Sequence, residues 1–248
     1  MNIKEYRSSV AEKARTADLV NLTPISGESA LDVGARDGHF SLLFAERFKK
    51  VYALDLELPT IQHAKVVCVK GNAARLDFPD NAFDFVFCAE VLEHIPQSIL
   101  RQVCDELCRV SKVDLLIGVP FRQDNRVGRT TCNNCGKRNP PWGHVNTFDE
   151  YSLRNLFPAM KVCKTSMVGE AYETTNKLSA WLMDLAGNPY GTYGQEEPCI
   201  HCDEALTTPP PRNLRQKVLT KAAFAVRRST ERAGRVHANW IHLLLTKQ

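Results

Sequence analysis

The stretch Ala30–Asp55, ALDVGARDGHFSLLFAERFKKVYALD, limits the fold more than any other part of the chain. Ala30-Leu31-Asp32-Val33 reads as a short buried strand, and Gly34 and Gly38 bracket a tight turn. Phe40, Leu43, Phe44 and Phe48 follow at helical spacing, and Val51–Leu54 resumes β character before Asp55. Glycines in such a turn permit positive φ and let a ligand approach the backbone closely. An acidic residue about 20 positions beyond the turn is placed to hydrogen-bond a ribose diol.

The same alternation continues downstream. Lys65–Lys70 (KVVCVK) is a third strand, followed by Gly71-Asn72-Ala73. Asp77–Asp84 leads into strand Phe85–Cys88, with Ala89–Ile95 at its carboxyl end. Helix Gln97–Val110 and strand Val113–Val119, stopped by Pro120, complete a series that predicts a parallel sheet with helices on both faces. Ligands in such α/β sheets bind at the carboxyl ends of strands, where every motif so far falls. Residues 3–22 read as a mixed-charge helix ended by Pro24, packed against the domain with a solvated face. Farther on, the pattern predicts helix Asp149–Phe157, strand Met160–Val168, helix Asn213–Arg232 and strand Trp240–Leu245. Leu214, Val218, Ala222 and Ala225 lie on one face of the last helix and are expected to meet the core.

At 248 residues, 44% hydrophobic and 24% charged, the chain suits one elaborated α/β domain spanning 1–248. Segments 121–147 and 174–211 are irregular insertions in it. The net charge of +4 does not by itself call for nucleic acid. No apolar run approaches the roughly 20 residues of a membrane span, and Met1–Tyr6 is too polar to open a signal peptide. A cytoplasmic location is expected.

The spacing D-x-G-x-x-x-G with Asp55 resembles the first two motifs of class I S-adenosylmethionine (SAM)-dependent methyltransferases. The block from Asp77 through Ile95 resembles the LPFPDNSFDLVVCSEVLEHV pattern of the methyltransferase type 11-like subgroup, and is the more specific match. Arg36 stands where that family usually has a third glycine. The resemblance implies a Rossmann-like, doubly wound seven-stranded sheet whose last strand is antiparallel, supplied by Met160–Val168 and Trp240–Leu245. It implies a SAM site made by Asp32, Gly34, Ala35, Arg36, Gly38, Asp55, Leu56, Asn72, Ala73, Cys88 and Glu90. An Asp is common where Asn72 stands, and the neutral amide still offers donor and acceptor to an adenine edge. The N-terminal helix would help cover the cofactor. The implied activity is methyl transfer, to a small-molecule or glycan hydroxyl. An RNA 2′-O-methyltransferase and a non-catalytic SAM-fold binding protein are the alternatives.

Nine cysteines need sorting. Cys68, Cys88, Cys104, Cys108 and Cys163 lie in apolar or helical segments, as buried thiols do. The other four form two CxxC pairs, Cys132/Cys135 and Cys199/Cys202, the arrangement in which two turns each offer two thiolates to one tetrahedral zinc. The pairs lie in the two insertions and are too far apart for a local finger, so one structural zinc would clip the insertions together. His201, between two ligands, is expected to point to solvent.

The residues placed for chemistry are Glu90, Glu93, His94 and a later His144. His94, with an ordinary pKa near working pH, suits a general base for the acceptor hydroxyl, and His144 is a second candidate. Glu90-x-x-Glu93-His94 with a downstream histidine also resembles the metal-assisted O-methyltransferases of ubiquinone biosynthesis and the plant small-RNA 2′-O-methyltransferases. That resemblance implies a second divalent metal at Glu90, Glu93, His94 and His144. The alternative is that Glu93-His94 caps and orients the helix that follows. Eight basic residues between Arg212 and Arg235 oppose Glu231 alone. A solvated helix face is the ordinary outcome; such a helix can also lie on anionic membrane, RNA or a phosphorylated substrate.

Overall fold

The computed structural model describes residues 7–172, 175–231 and 236–247. Residues 3–6 of the expected first helix, Thr174 of the second insertion, and Arg232 and Arg235 of the basic segment lie outside the described residues. The chain groups into two compact units, one formed by Asn2–Phe121 with Phe148–Gly169 and Ala238–Gln248, the other by Arg122–Thr147 with Glu170–His237. The second unit takes in both insertions and the basic helix.

The first unit is a seven-stranded sheet. Its strands are β1 (Gly27–Val33), β2 (Phe48–Asp55), β3 (Val66–Lys70), β4 (Phe83–Ala89), β5 (Ser111–Pro120), β6 (Met160–Val168) and β7 (Trp240–Lys247). They run in the order β3-β2-β1-β4-β5-β7-β6. The pairs among β1 to β5 are parallel, and β7 is antiparallel to both neighbours. The doubly wound architecture with an antiparallel last strand is the one expected. Helices α1 (Val10–Leu22), α2 (His39–Phe44), α3 (Gln97–Val110) and α4 (Glu150–Arg154) accompany it.

Phenylalanine fills one face of this sheet. Phe44, Phe48, Phe85 and Phe87 are all at most 2% exposed and pack with Leu19 and Leu22 of α1. Phe48 and Phe85 stack at 5.5 Å, and Phe44 meets Phe87 edge-on at 5.0 Å. Phe48 is not part of the helix, as its spacing suggested. Helix α2 stops at Phe44, and Phe48 opens β2, reaching the same core from the strand. Its ring lies where a Cβ on Gly27 would come within 2.5 Å, so the strand start needs glycine there. The other face mixes aliphatic and aromatic side chains, with Phe83, Phe148 and Phe157 buried in it and α3 contributing Leu100, Val103, Cys104 and Leu107.

Helix α1 departs from the expected amphipathic layout. Ser9 caps its first turn by accepting from the Glu12 N–H, and its buried residues are Glu12, Arg15, Leu19 and Leu22. Two of the four are charged. Of the five presumed buried thiols, Cys88, Cys104 and Cys108 are buried, while Cys68 is half-buried and Cys163 exposed. The last two sit on β3 and β6, the edge strands of the sheet, and the Cys68 thiol lies 3.7 Å from Ile61 O.

In the second unit, two short strand pairs join Thr130–Thr131 with Arg138–Asn139, and Ala171–Tyr172 with Val236–His237. Helices α5 (Lys177–Leu185) and α6 (Leu214–Glu231) pack on each other. Asn176 caps α5 by accepting from the Ser179 N–H. Ser179 Oγ donates to Ala223 O at 2.9 Å and Asn176 Nδ2 to Val226 O at 3.3 Å, which sets the pair antiparallel. The buried face of α6 is therefore not the predicted one. Thr220 and Ala223 are at most 1% exposed, whereas Leu214 and Val218 are 79% and 59% exposed. The small side chains Ser179 and Ala180 of α5 admit a close approach, and Thr220 satisfies its hydroxyl on Gln216 O at 2.9 Å.

Candidate cofactor site and cysteine cluster

The carboxyl ends of β1, β2 and β4 carry the sequence motifs of the first unit. Gly34 and Gly38 have φ of +80° and +81°, and Gly38 N donates to Ala35 O at 2.7 Å to close the turn. A side chain at either would be strained by the positive φ, and its Cβ would come within 2.4 Å of Val91 Cγ2 or Ile61 Cδ1, which would have to shift. Arg36 also adopts left-handed backbone, φ +51°, at the position where the resembled family has glycine. Such a conformation costs a non-glycine residue about 1–2 kcal/mol. Asp55 offsets part of this by accepting from the Arg36 N–H at 2.8 Å. Its other oxygen accepts from the Leu56 N–H at 2.7 Å. Two backbone donors thus fix the carboxylate, and each oxygen keeps a further lone pair for a diol.

Around this turn, Asp32 is 2% exposed and accepts from Ser41 Oγ at 2.5 Å. Burial pushes its carboxyl up to about 7, against the Ser41 hydrogen bonds. Leu56 is 64% exposed beside Asp55. Asn72 is exposed, and its Oδ1 accepts from the Ala74 N–H at 2.9 Å, so the side chain's carbonyl shapes its own loop and its amide is the group left to point outward. Ala73 is buried beneath it. Cys88 is 0% exposed with its thiol in the core, so this position can reach a ligand only through its backbone.

Beyond β4, Glu90 has φ +57°, an unusual conformation for a glutamate at a strand end. Its buried Oε1 has no hydrogen-bond partner and lies 3.9 Å from an Arg15 nitrogen. Burial raises the Glu90 carboxyl and the Arg15 guanidinium lowers it. Leu92–His94 form a single 3₁₀ turn. Glu93 is 1% exposed and neither of its carboxyl oxygens has a partner. Burial, and then the neighbouring Glu90, push its pKa well up. Burial and the Arg36 charge lower His94 to about 4, so its imidazole is neutral throughout the physiological range, unlike an ordinary histidine.

Glu93 gives a direct stability test. Its folded pKa lies above the unfolded one, so its contribution is fully present below about pH 4 and is lost as pH rises towards the folded value. Glu93→Gln keeps the shape and removes the titration. The variant should gain about 1 kcal/mol or more at pH 7, with the gain vanishing at low pH, in urea melts at several pH values. A variant less stable than wild type at neutral pH would show that the carboxylate is ionised and matched.

Sequence reading missed the polar stripe of α1. Glu12 and Arg15 form a buried bidentate pair, 2.7 Å at both contacts, and Arg15 lies over the rings of Phe40 and Trp240. Asp18 accepts from Ser166 Oγ at 2.7 Å and pairs with Nδ1 of His242 at 2.6 Å. His242 is 0% exposed, and burial lowers its pKa against the pull of Asp18. Glu12, Arg15 and Asp18 recur every third residue, a periodicity that marks a buried polar stripe as readily as a solvated one.

In the second unit the four cysteines meet. One ligand atom from each of Cys132, Cys135, Cys199 and Cys202 lies within 4.8 Å of all the others. Cys132 and Cys202 sulfurs are 3.7 Å apart, and Cys135 and Cys199 sulfurs 3.6 Å. Zinc–sulfur bonds of about 2.3 Å in a tetrahedron place sulfurs roughly 3.8 Å apart, so the set fits zinc. The two knuckles share one hydrogen-bond pattern. Cys132 N donates to Lys137 O and Gly136 N to Cys132 O; Cys199 N donates to Glu204 O and Asp203 N to Cys199 O. Gly136 and Asp203, at equivalent places, both have positive φ, +69° and +59°. Only the glycine could be recognised in the sequence. Burial raises Cys199, but the backbone N–H groups of His201 and Cys202, together with the Cys135 and Cys202 thiols, bring it down to about 6. His201 is exposed, with Nε2 3.0 Å from Arg138 O, and is no part of the set. His144 also belongs to this unit, its Nδ1 2.5 Å from Gln123 Oε1.

Comparison with known proteins places these observations. Residues 31–114, about a third of the chain, match the model of a methyltransferase domain family. A Mycolicibacterium smegmatis protein named "probable S-adenosylmethionine-dependent methyltransferase" is 30% identical over 112 residues, 43% of each chain. A demethylmenaquinone methyltransferase of Bacillus licheniformis is 29% identical over 109 residues, 40% of this chain and 45% of that one. The chain spans less than half the length of the curated relatives it matches. A Bacillus halodurans structure solved as a candidate methyltransferase aligns with a TM-score of 0.57 at 15% identity, over 93% of this chain and 97% of the other, a likeness of fold.

Proposed function

We propose that this chain is a class I SAM-dependent methyltransferase acting on a hydroxyl of a small-molecule or glycan acceptor, with one structural zinc. The observation that carries the reading is the gathering of the Gly34–Gly38 turn, Asp55 and the Glu90–His94 turn at the carboxyl ends of adjacent strands β1, β2 and β4. When bound, SAM supplies a methyl group activated on a sulfonium. Asp55 would accept the ribose hydroxyls, Leu56 would offer an apolar surface to adenine, and the Asn72 amide would donate to its edge, with Ala73 beneath. Asp32, Ala35, Arg36, Gly38 and Glu90, with the Cys88 backbone, would frame the methionine end. Calorimetric titration of the purified protein with SAM should reveal one site; no heat and no retained ligand would overturn the reading.

His94 is the proposed acceptor of the hydroxyl proton, at a ring nitrogen, with Glu93 beside it in the same turn. His144 lies in the other unit, and the proposed step does not draw on it. An ordinary histidine base would give a rate that falls below pH 6.5. With its pKa lowered to about 4, His94 stays unprotonated above that value. The rate should therefore be flat from about pH 6 to 8, and His94→Ala should lower kcat about 100-fold or more with SAM affinity kept. A limb near pH 6.5 that vanishes in His94→Ala would show a base of ordinary pKa.

Cys132, Cys135, Cys199 and Cys202 are the proposed zinc ligands, supported by the matched knuckles and the sulfur spacing. A cytoplasmic setting is proposed on the nine cysteines, none of which is in a disulfide. No helix among the described residues is long and apolar enough to cross a membrane.

A further inference from the structure

The outward face of α6 has no role in the site above. On a helix of 3.6 residues per turn, Leu214, Val218 and Ala225 fall within one narrow arc. All three are exposed, Leu214 at 79% and Val218 at 59%. Lys217, Lys221 and Arg228 border this arc on one side and Arg215 on the other, and all four are exposed. None of the four makes an ion pair among the described residues. Helix α5 of the same unit leaves a second stripe uncovered: Leu178, Trp181 and Leu185, 53%, 55% and 45% exposed, recur at i, i+3 and i+7. An uncovered aliphatic stripe bordered by unpaired cations marks an interaction surface.

We propose that α6 docks this unit onto an anionic lipid bilayer, lying in the plane of the interface. Leu214 and Val218 enter the acyl boundary, and Arg215, Lys217, Lys221 and Arg228 meet acidic headgroups. The combination of aliphatic stripe and cationic border is what such a surface selects. A single-stranded nucleic acid would select stacking rings instead. The one aromatic of α6, Phe224, is engaged edge-on with Tyr190 at 5.3 Å. A symmetric contact with a second copy would set the same four cations against themselves.

The test is cosedimentation of the purified full chain with vesicles of phosphatidylcholine, alone or mixed with phosphatidylglycerol. Binding is expected only to the mixed vesicles, and added salt should weaken it. Lys217→Gln/Lys221→Gln should lower partitioning about 30-fold, at about 1 kcal/mol for each lysine. Leu214→Gln/Val218→Gln should lower it about 10-fold or more. All four positions are exposed, so circular dichroism should be unchanged. If one double variant misfolds, the salt titration of wild type and the other variant still decide. Absent or equal binding to the two vesicle types, or variants that bind as wild type, would overturn the proposal. So would capture of single-stranded RNA without vesicle binding. None of these readouts depends on SAM, so failure here leaves the methyltransferase reading where it stood.

Discussion

Replacing Cys199 with serine should release one equivalent of zinc and unfold the two knuckles. The reason is how little else holds the knuckles. The cluster around them contains Cys132, Cys199 and Leu206, with Tyr193, Cys135 and Cys202 packed against it, and four of those six are the proposed ligands themselves. Structural zinc contributes about 10–16 kcal/mol in small domains, far more than one leucine buries. Polar contacts around the knuckles help but cannot substitute: Tyr193 Oη accepts from Thr131 N at 3.0 Å, and Asn139 Oδ1 from Ile200 N at 2.9 Å. Metal analysis of the purified wild type should give one zinc, and limited proteolysis of the variant should cut within 122–147 and 170–237. A wild type that purifies without metal, with four titratable thiols at these positions and normal protease resistance, would refute the assignment.

The second large effect is expected from Asp55→Ala. A charged hydrogen bond is worth about 1.5–3 kcal/mol, so SAM affinity should fall between about 10- and 150-fold. The structure adds a reason for the higher end. Asp55 also restrains the Arg36 and Leu56 N–H groups, so its removal loosens the turn that holds Arg36 in left-handed backbone. Arg36→Gly in the same background should recover part of the loss, since glycine takes that conformation freely. Calorimetry on the single and double variants measures both effects. Unchanged affinity in Asp55→Ala would remove Asp55 from the site.

The sheet was legible because its signals are local. Buried strands such as β4 and β5 are nearly continuous apolar runs, and the glycines that turn the chain at their ends announce themselves. What stayed hidden depends on partners distant in sequence. The outward face of α6 looked like a core stripe, and only the small residues of α5 explain why Thr220 and Ala223 took the inside instead. Phe48 kept helical spacing while belonging to a strand, since an i+4 step from Phe44 reaches the same core either way. For the candidate site, residue types and strand ends were readable. The lowered pKa of His94 was not, because it comes from burial and from Arg36, 58 positions away in the sequence.

The place of β7 between β5 and β6 has a consequence for the order in which the sheet can be assembled. Strand β6 ends at Val168, but the strand that joins it to the rest begins only at Trp240, about 70 residues later. At about 5–20 residues per second, a nascent chain would carry β6 for roughly 4–14 seconds with no strand to pair with. During that interval both of its edges are open to other chains. Its sequence, MKVCKTSMV, carries Lys161 and Lys164 among the apolar residues. Charges on an unpaired edge discourage pairing with the wrong strand, so these two lysines guard the sheet while its last strand is still being made.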